Sequence, residues 1–523
     1  MKKVFVLLLM VSSCCGYAQT ASNSKIFESF KKDRFNSILP DFSYAGYKYG
    51  EVALPEPSYK VFDVTSFGAV PNDDKSDRTA IEAAIRAAEK NGSGIVFFPP
   101  GRFLVNEDGD PNKSITIARS RIILRGSGPG KGGTELFMKN TLVPADTKLM
   151  WSAPAMFSFN SFTKDTLLGT VTAPEKVGSF KVTLTNTGDI QPGDWISLHL
   201  NALDTNLVRK EIGSMPIDTV WTTMLKKEGV IIRNYHEVKK VEGNVITLVS
   251  PIAYAIDPKH NWEVYKFGHI AESGAENIAF VGNFHDKFVH HRSWIDDSGW
   301  KLFNTKKMVH SWLKNCSFTD CNVGVQIRES SNITVINCEI NGTPAHEAMS
   351  SYRSMNVFMG KNVDHASMDH SIGVDGYAMN TVIWRSQYPP TTCFESHSYQ
   401  PRNTLLDVME GGLLEGHAGG AVRNHPNHMQ NLIFWNYKQT NPDTAKVFNF
   451  WMDNDRWFRI APPIIVGMHG TTVKFKPGQV KYLESFGKPV TPESLYEAQL
   501  LLRLGKLPDW LVKLKATGVG NLR

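Results

Sequence analysis

The chain has 523 residues, 41% of them hydrophobic and 21% charged, with 41 glycines and 27 prolines spread along it as turn punctuation. This composition excludes a disordered or collagen-like chain and is enough to bury a large core. The formal charge of +6, or +4 once Lys2 and Lys3 are removed, is far too small to indicate nucleic acid and gives only a lean toward acidic partners.

Residues 1 to 18 read as a signal peptide. Lys2 and Lys3 precede the apolar run from Val4 to Val11, and small residues lead to Gly16-Tyr17-Ala18, so the mature chain starts near Gln19 and is secreted or periplasmic. A lipoprotein leader is the rival, because Val11-Ser12-Ser13-Cys14 has the small-residue run before a cysteine that lipid attachment uses. No later stretch approaches the apolar length of a transmembrane segment. Residues 19 to 60, rich in aromatics, read as an N-terminal arm lying on the main body.

The pattern sharpens at Val61. After Val61-Phe62-Asp63 and the acidic loop Asn72-Asp73-Asp74 comes a helix from about Arg78 to Lys90, with Ile81, Ala84, Ile85 and Ala88 on one face and Asn91-Gly92 behind it. A buried strand, Gly94 to Phe98, is stopped by Pro99-Pro100-Gly101. Residues 61 to 450 are expected to form one solenoid, interrupted by a β-rich insertion at about 160 to 262 where the repeat is missing. Residues 451 to 523 form a C-terminal capping segment with a helix over Pro492 to Leu504 ended by Gly505.

The solenoid is read from a repeat. Asn277, His310, Asn332, Asn356, Asn380, Asn403 and Asn431 each open an apolar strand, mostly 22 to 24 residues apart. His290 and His291, His346, His370 and His417 follow their openers by 13 or 14 residues, and His397 by 17. Coils of a β-solenoid stack at about 4.8 Å, so side chains at one phase are expected to form a column. Cys316 and Cys338 sit one period apart and read as stacked core thiols, and no cysteine spacing resembles a zinc site.

Phe62 to Val105 combines the Gly68-Ala69 element, the Asn-Asp-Asp loop, the amphipathic helix and the Phe97-Phe98-Pro99-Pro100-Gly101 strand in one order. This stretch resembles the opening of the pectate-lyase-like superfamily, which includes secreted polysaccharide lyases and polygalacturonase-type hydrolases. The resemblance implies an all-β fold, a right-handed parallel β-helix with an N-terminal capping helix. The Asn-Thr-Asp, Gly-His-Gly and Arg-Ile-Lys strings that mark polygalacturonases are missing, as are the calcium aspartates and arginine motif of pectate lyases proper. Calcium stays an open cofactor, since carboxylates and carbonyls bind it without a recognisable string.

Imidazoles and arginines on one face suit a carboxylate- or sulfate-bearing sugar polymer. Cleavage of a uronic acid polymer by β-elimination needs a neutralised carboxylate and a base for the neighbouring proton. The candidate bases are His370 and His346, the candidate neutralisers Arg402 and Arg292, and Tyr377 the candidate to return a proton to the leaving oxygen. His290, His291, His397, His417, Arg423 and Trp294 are candidate substrate-binding residues. The expected function is thus a lyase acting on an acidic polysaccharide, by a monomer with no nucleic-acid partner. Hydrolysis through Asp296-Asp297 and a non-catalytic glycan-binding role are the alternatives.

Overall fold

The computed structural model describes residues 22 to 442 and 447 to 520, so the leader and Cys14 lie outside the described residues. From Val61 onward the chain winds as a right-handed parallel β-helix with three long sheets. The broadest runs from Val61–Asp63 through thirteen strands to Tyr482–Glu484, so parallel coils continue past the boundary expected at residue 450. A six-stranded second sheet and a seven-stranded third sheet complete the coil. Strand periodicity of two puts Phe303, Val325, Met349 and Ile372 of the third sheet into one continuous core and turns their neighbours outward.

The repeat openers are corner residues. His310, Asn332, Asn356, Asn380, Asn403 and Asn431 all have φ between 43° and 65°, the left-handed region that asparagine tolerates best among residues with a side chain. The amides of the last four form a ladder: Asn380 donates to Asn356 at 3.2 Å, Asn403 to Asn380 at 3.1 Å and Asn431 to Asn403 at 2.9 Å. Asn277 does not belong to this corner. It stacks instead with Asn315 and Asn337 at the opposite end of the broad-sheet strands. The equivalent of His310 one coil earlier is Glu272, whose N–H bonds to the His310 carbonyl at 3.1 Å. The wide step from 277 to 310 therefore compares two different corners.

Arg78–Lys90 packs its Ile81, Ala84, Ile85 and Ala88 face against the first coil and closes that end of the core. Six antiparallel strands between Thr166 and Lys266 form a separate sheet lying against the body. The helices Leu495–Leu504 and Asp509–Ala516 do not cover the far end. With the N-terminal helix Lys25–Lys32 they pack along the outer face of the broad sheet, over Val382, Trp384, Ile433 and Trp435. The four described cysteines are buried and free.

Candidate active site

The third sheet carries a row of polar groups on its outer face. Asn304, Gln326, Ser350, Gly373 and Glu395 occupy one register position on successive coils. At Gly373 a Cβ would stand 2.3 Å from the Glu395 carbonyl oxygen, so only glycine lets that coil close down. Asn304 Oδ1, Gln326 Oε1, Ser350 Oγ and Glu395 Oε2 are all buried without a hydrogen-bond partner. Each such atom costs about 1–3 kcal/mol unless something else meets it. Glu395 Oε2 is met by His370 Nδ1 at 2.9 Å, which leaves Asn304, Gln326 and Ser350 as three adjacent positions with unmet groups.

Two residues further along each strand the row becomes basic and aromatic. Lys306, Arg328, Tyr352 and Asp375 are in register. Arg328 lies 4.5 Å from the Tyr352 ring, and Arg353 lies 5.2 Å from both Tyr377 and Tyr399. Arg233, from the inserted sheet, also lies over the Tyr377 ring at 5.5 Å. Arg328 Nε and Arg353 Nε are buried and unpartnered.

At the strand starts the row ends in six imidazoles gathered around His370. Ring centroids of His290 and His346 stand 5.4 and 5.2 Å from it, those of His397 and His417 5.9 and 5.7 Å, and His291 stacks on His290 at 3.8 Å. This is a cluster rather than the expected column, because each histidine comes from a different part of its coil. His370 opens a strand in register with Glu347, leaving His346 one residue outside the ladder. His397 stands just past Ser396, which pairs with Val374, and so reaches Asp375 at 3.4 Å. His290 and His291 sit on the loop before the single helical turn Ile295–Gly299.

Several of these rings have their orientation fixed. His346 Nδ1–H donates to the Asp297 carbonyl at 2.7 Å, which leaves Nε2 as the free lone pair. Burial and the neighbouring His370 hold its pKa well below the usual imidazole range, so it is neutral. His291 Nδ1–H donates to the Asp297 carboxylate at 2.9 Å, and the same carboxylate accepts the His291 backbone N–H at 3.0 Å. His417 Nε2 bonds to the Asp369 carbonyl. His370 Nδ1 pairs with Glu395 Oε2 at 2.9 Å, and His370 Nε2 has no hydrogen-bond partner among the described residues.

Charge is arranged unevenly across the cluster. Burial alone would lower His397, but Asp375 and Glu395 push it up to about 10, so it is a cation at neutral pH. Burial likewise opposes protonation of His370, and Glu395 and Asp369 outweigh it. Glu395 is pulled down to about 2, its burial overcome by His370, His397 and His417. His290 is lowered by burial, then by His370 and His291. Lys301, buried beside Arg328 and Glu347, is lowered to about 8 by burial first and Arg328 second.

Of the sequence candidates, His290, His291, His346, His370, His397 and His417 converge here. Arg402 does not. It opens a broad-sheet strand, is buried to 2% exposure, and is tied to the insertion: Nη1 donates to the Ile231 carbonyl at 2.7 Å and Nη2 pairs with Glu211 at 3.3 Å. It borders a different cavity of about 470 Å3, lined also by Glu211, Tyr254 and Trp262. Arg292 is near the cluster in sequence, but its Nε/Nη2 edge is committed to Asp296, at 3.0 and 2.6 Å, and Nη2 also donates to the Lys287 carbonyl at 3.2 Å. Asp296 and Asp297 are thereby occupied in holding Arg292 and His291. Tyr377 lies on the aromatic edge, Trp294 is half-buried beside the Ile295–Gly299 turn, and Arg423 is exposed on the turn Val422–Asn424.

Sequence reasoning missed Gln326, Ser350, Tyr352, Tyr399 and Lys301 at this site, and Arg233 opposite it. Strand alternation would have found Gln326 and Ser350. No sequence signal predicts Arg233, which arrives from the insertion.

Residues 61–166 match the family model described as rhamnogalacturonase A/epimerase, pectate lyase-like, and residues 367–514 match a domain of unknown function (DUF4955). The chain is 32% identical over 125 residues to mannuronan C5-epimerase AlgE1 of Azotobacter vinelandii, covering 24% of this chain and 8% of that protein. It is 34% identical over 70 residues to alginate lyase 7 of the same organism, covering 13% and 8%. It thus spans a small fraction of the length of these relatives. Among solved structures, the tailspike protein gp49 from Pseudomonas phage LKA1 aligns over 78% of this chain and 71% of its own, at 12% identity and a TM-score of 0.45. The A-module of mannuronan C-5 epimerase AlgE6 from Azotobacter vinelandii aligns over 82% and 99%, at 12% identity and a TM-score of 0.29.

Proposed function

We propose, from the premise that this chain is a pectate-lyase-like parallel β-helix, that it is an enzyme acting on an acidic polysaccharide laid across the third sheet. The observation that carries the reading is the row Asn304, Gln326 and Ser350, three polar groups in register with buried, unmet hydrogen-bonding atoms, running between an arginine–tyrosine edge and the imidazole cluster. Sugar hydroxyls answer such a row, and carboxylates answer Arg328 and Arg353. The names of the curated relatives, mannuronan C5-epimerases and an alginate lyase, agree with a uronic acid polymer.

The reaction that fits best is β-elimination. His291 is the base: it is exposed, and the buried Asp297 carboxylate fixes its Nδ1–H, leaving Nε2 to take the proton beside the uronate carboxylate. This moves the base from His346 and His370, which form the buried floor, to the rim residue a polymer can reach. The His397 cation, on the far side of the cluster with its ring 5.9 Å from that of His370, offsets the developing negative charge, in the role first given to Arg402. Tyr377, whose pKa burial raises, keeps its proton and can return it to the leaving oxygen. The epimerase relatives favour a second outcome of the same proton removal, in which the proton returns to the other face and no bond to the glycosidic oxygen breaks.

The test is incubation of the chain with alginate and other uronic acid polymers, following absorbance near about 235 nm for the double bond that elimination leaves. Rising absorbance supports the lyase. Proton exchange from solvent without absorbance indicates epimerisation, and new reducing ends without absorbance would overturn proton abstraction in favour of hydrolysis.

A further inference from the structure

We infer that His290, His346 and His370 form a binding site for a divalent first-row transition cation of the zinc type. The inference deepens the proposed function and rests on it only for the role of the cation, not for its binding. Each of the three offers a ring nitrogen, and these atoms all lie within 4.8 Å of one another. The ring centroids form a nearly equilateral triangle of 5.2, 5.4 and 5.2 Å. Metal–nitrogen bonds of about 2.1 Å, with each centroid roughly 1.2 Å beyond its nitrogen, would place tetrahedral imidazole centroids about 5.4 Å apart. The triangle already has that size, so ring rotation rather than backbone movement would bring the nitrogens onto one ion.

Two further features point to a ligand. His370, at 5% exposure, is paired with Glu395 through Nδ1 at 2.9 Å, while its buried Nε2 has no hydrogen-bond partner among the described residues, which is costly unless something completes it. His346 donates its Nδ1–H to the Asp297 carbonyl, the outer-shell hydrogen bond that orients a ligating histidine and directs Nε2 inward. Glu395 Oε2, also buried, holds His370 Nδ1 at 2.9 Å and orients that ring from its far side. Three imidazoles are a borderline-soft donor set, suited to zinc, nickel, copper or iron and poorly suited to calcium, which takes oxygen ligands. Three protein ligands leave a fourth tetrahedral position for a ligand oxygen. A uronate carboxylate there would be neutralised by the cation, within one stacked ring of His291.

The test uses the full chain, stripped with a chelator and titrated with zinc, calcium or cobalt(II) salts. The expected results are one zinc per chain, no calcium binding at micromolar concentration, and a cobalt visible spectrum of tetrahedral nitrogen coordination. His346→Ala should weaken zinc binding by more than a hundredfold, beyond the roughly 10–100-fold typical of losing an outer-shell partner. His291→Gln should leave it unchanged. The wild-type cobalt spectrum needs no variant and therefore holds even if His346→Ala fails to fold. An absent or octahedral oxygen-type cobalt spectrum, or tighter binding of calcium than of zinc, would overturn the site. Stoichiometric zinc in a chain that processes no uronic polymer would sink the proposed function and leave the metal site standing, while turnover untouched by chelation in a chain that binds no zinc would do the reverse.

Discussion

Asp297→Asn tests the proposed reaction centre most sharply, because it alters one hydrogen-bond polarity and almost no volume. In the native site the buried carboxylate accepts from both His291 Nδ1–H and the His291 backbone N–H. An amide can keep the backbone bond through its oxygen, but it then presents an NH2 group to Nδ1. The imidazole must turn its lone pair to that amide and carry its proton on Nε2, the tautomer that cannot act as base. Removing a general base costs about 10²–10⁴-fold in rate, and an Asp→Asn change beneath a catalytic histidine about 10⁴-fold, which is about 5 kcal/mol of barrier. The fold should hold, because the Asp297 carbonyl that orients His346 belongs to the backbone and survives the change. The assay is kcat on a uronic acid polymer from the absorbance of unsaturated ends, with a thermal melt alongside. His291→Ala should lose as much, and the double variant little more, since paired groups acting as one unit do not add. Wild-type kcat in Asp297→Asn, with the melt unchanged, would refute the assignment of His291.

Arg402→Ala should destabilise the chain by about 3–5 kcal/mol, the usual cost of stranding one partner of a buried ion pair, here Glu211; a melting temperature equal to wild type would contradict its structural role. Arg353→Ala should raise KM for a uronic polymer with kcat little changed and weaken the salt dependence of KM, whereas a loss confined to kcat would place Arg353 in the chemistry instead. Acid should unfold the protein earlier than its carboxylates alone require. His236 and His428 are fully buried, and burial lowers each to about 4. A histidine with a depressed folded pKa contributes stability that is complete above the unfolded value near 6.5 and is lost as pH falls through the folded one, about 3 kcal/mol for each of these two. Denaturant midpoints should fall between pH 6.5 and about 4, and a flat profile across that window would be inconsistent with their burial.

The solenoid was legible because each corner imposes a left-handed backbone conformation that recurs from coil to coil, and asparagine is the residue with a side chain that bears it most easily. Asn332, Asn356, Asn380 and Asn403 therefore marked the period correctly. The same signal misled at Asn277, since the other corner makes an identical demand and also selects asparagine at Asn315 and Asn337. Convergence of the imidazoles was legible only as a rhythm. Their arrangement around His370 depends on turn lengths, one residue of which separates His346 from the register of His370. Arg402 was misplaced because its neighbour in space, Glu211, belongs to the insertion, whose docking leaves no periodic trace. The Asp297 carboxylate was legible as a residue but not as a partner, because it faces back along its own loop to His291, six residues earlier.

The seam between the two ends of the described chain has a bearing on biogenesis. Ser22 and Asn23 pair as a parallel strand with Val490 and Thr491, and Phe27, Phe30, Leu495 and Tyr496 together roof the indoles of Trp384 and Trp435. A ribosome must deliver residue 491 before that seam can zip, so the coils can wind from the N-terminal side while an oily strip along their flank stays bare until late. Nascent chains of this architecture would then spend their most adhesive interval nearly complete, and a shielding partner would serve them best at the end of synthesis.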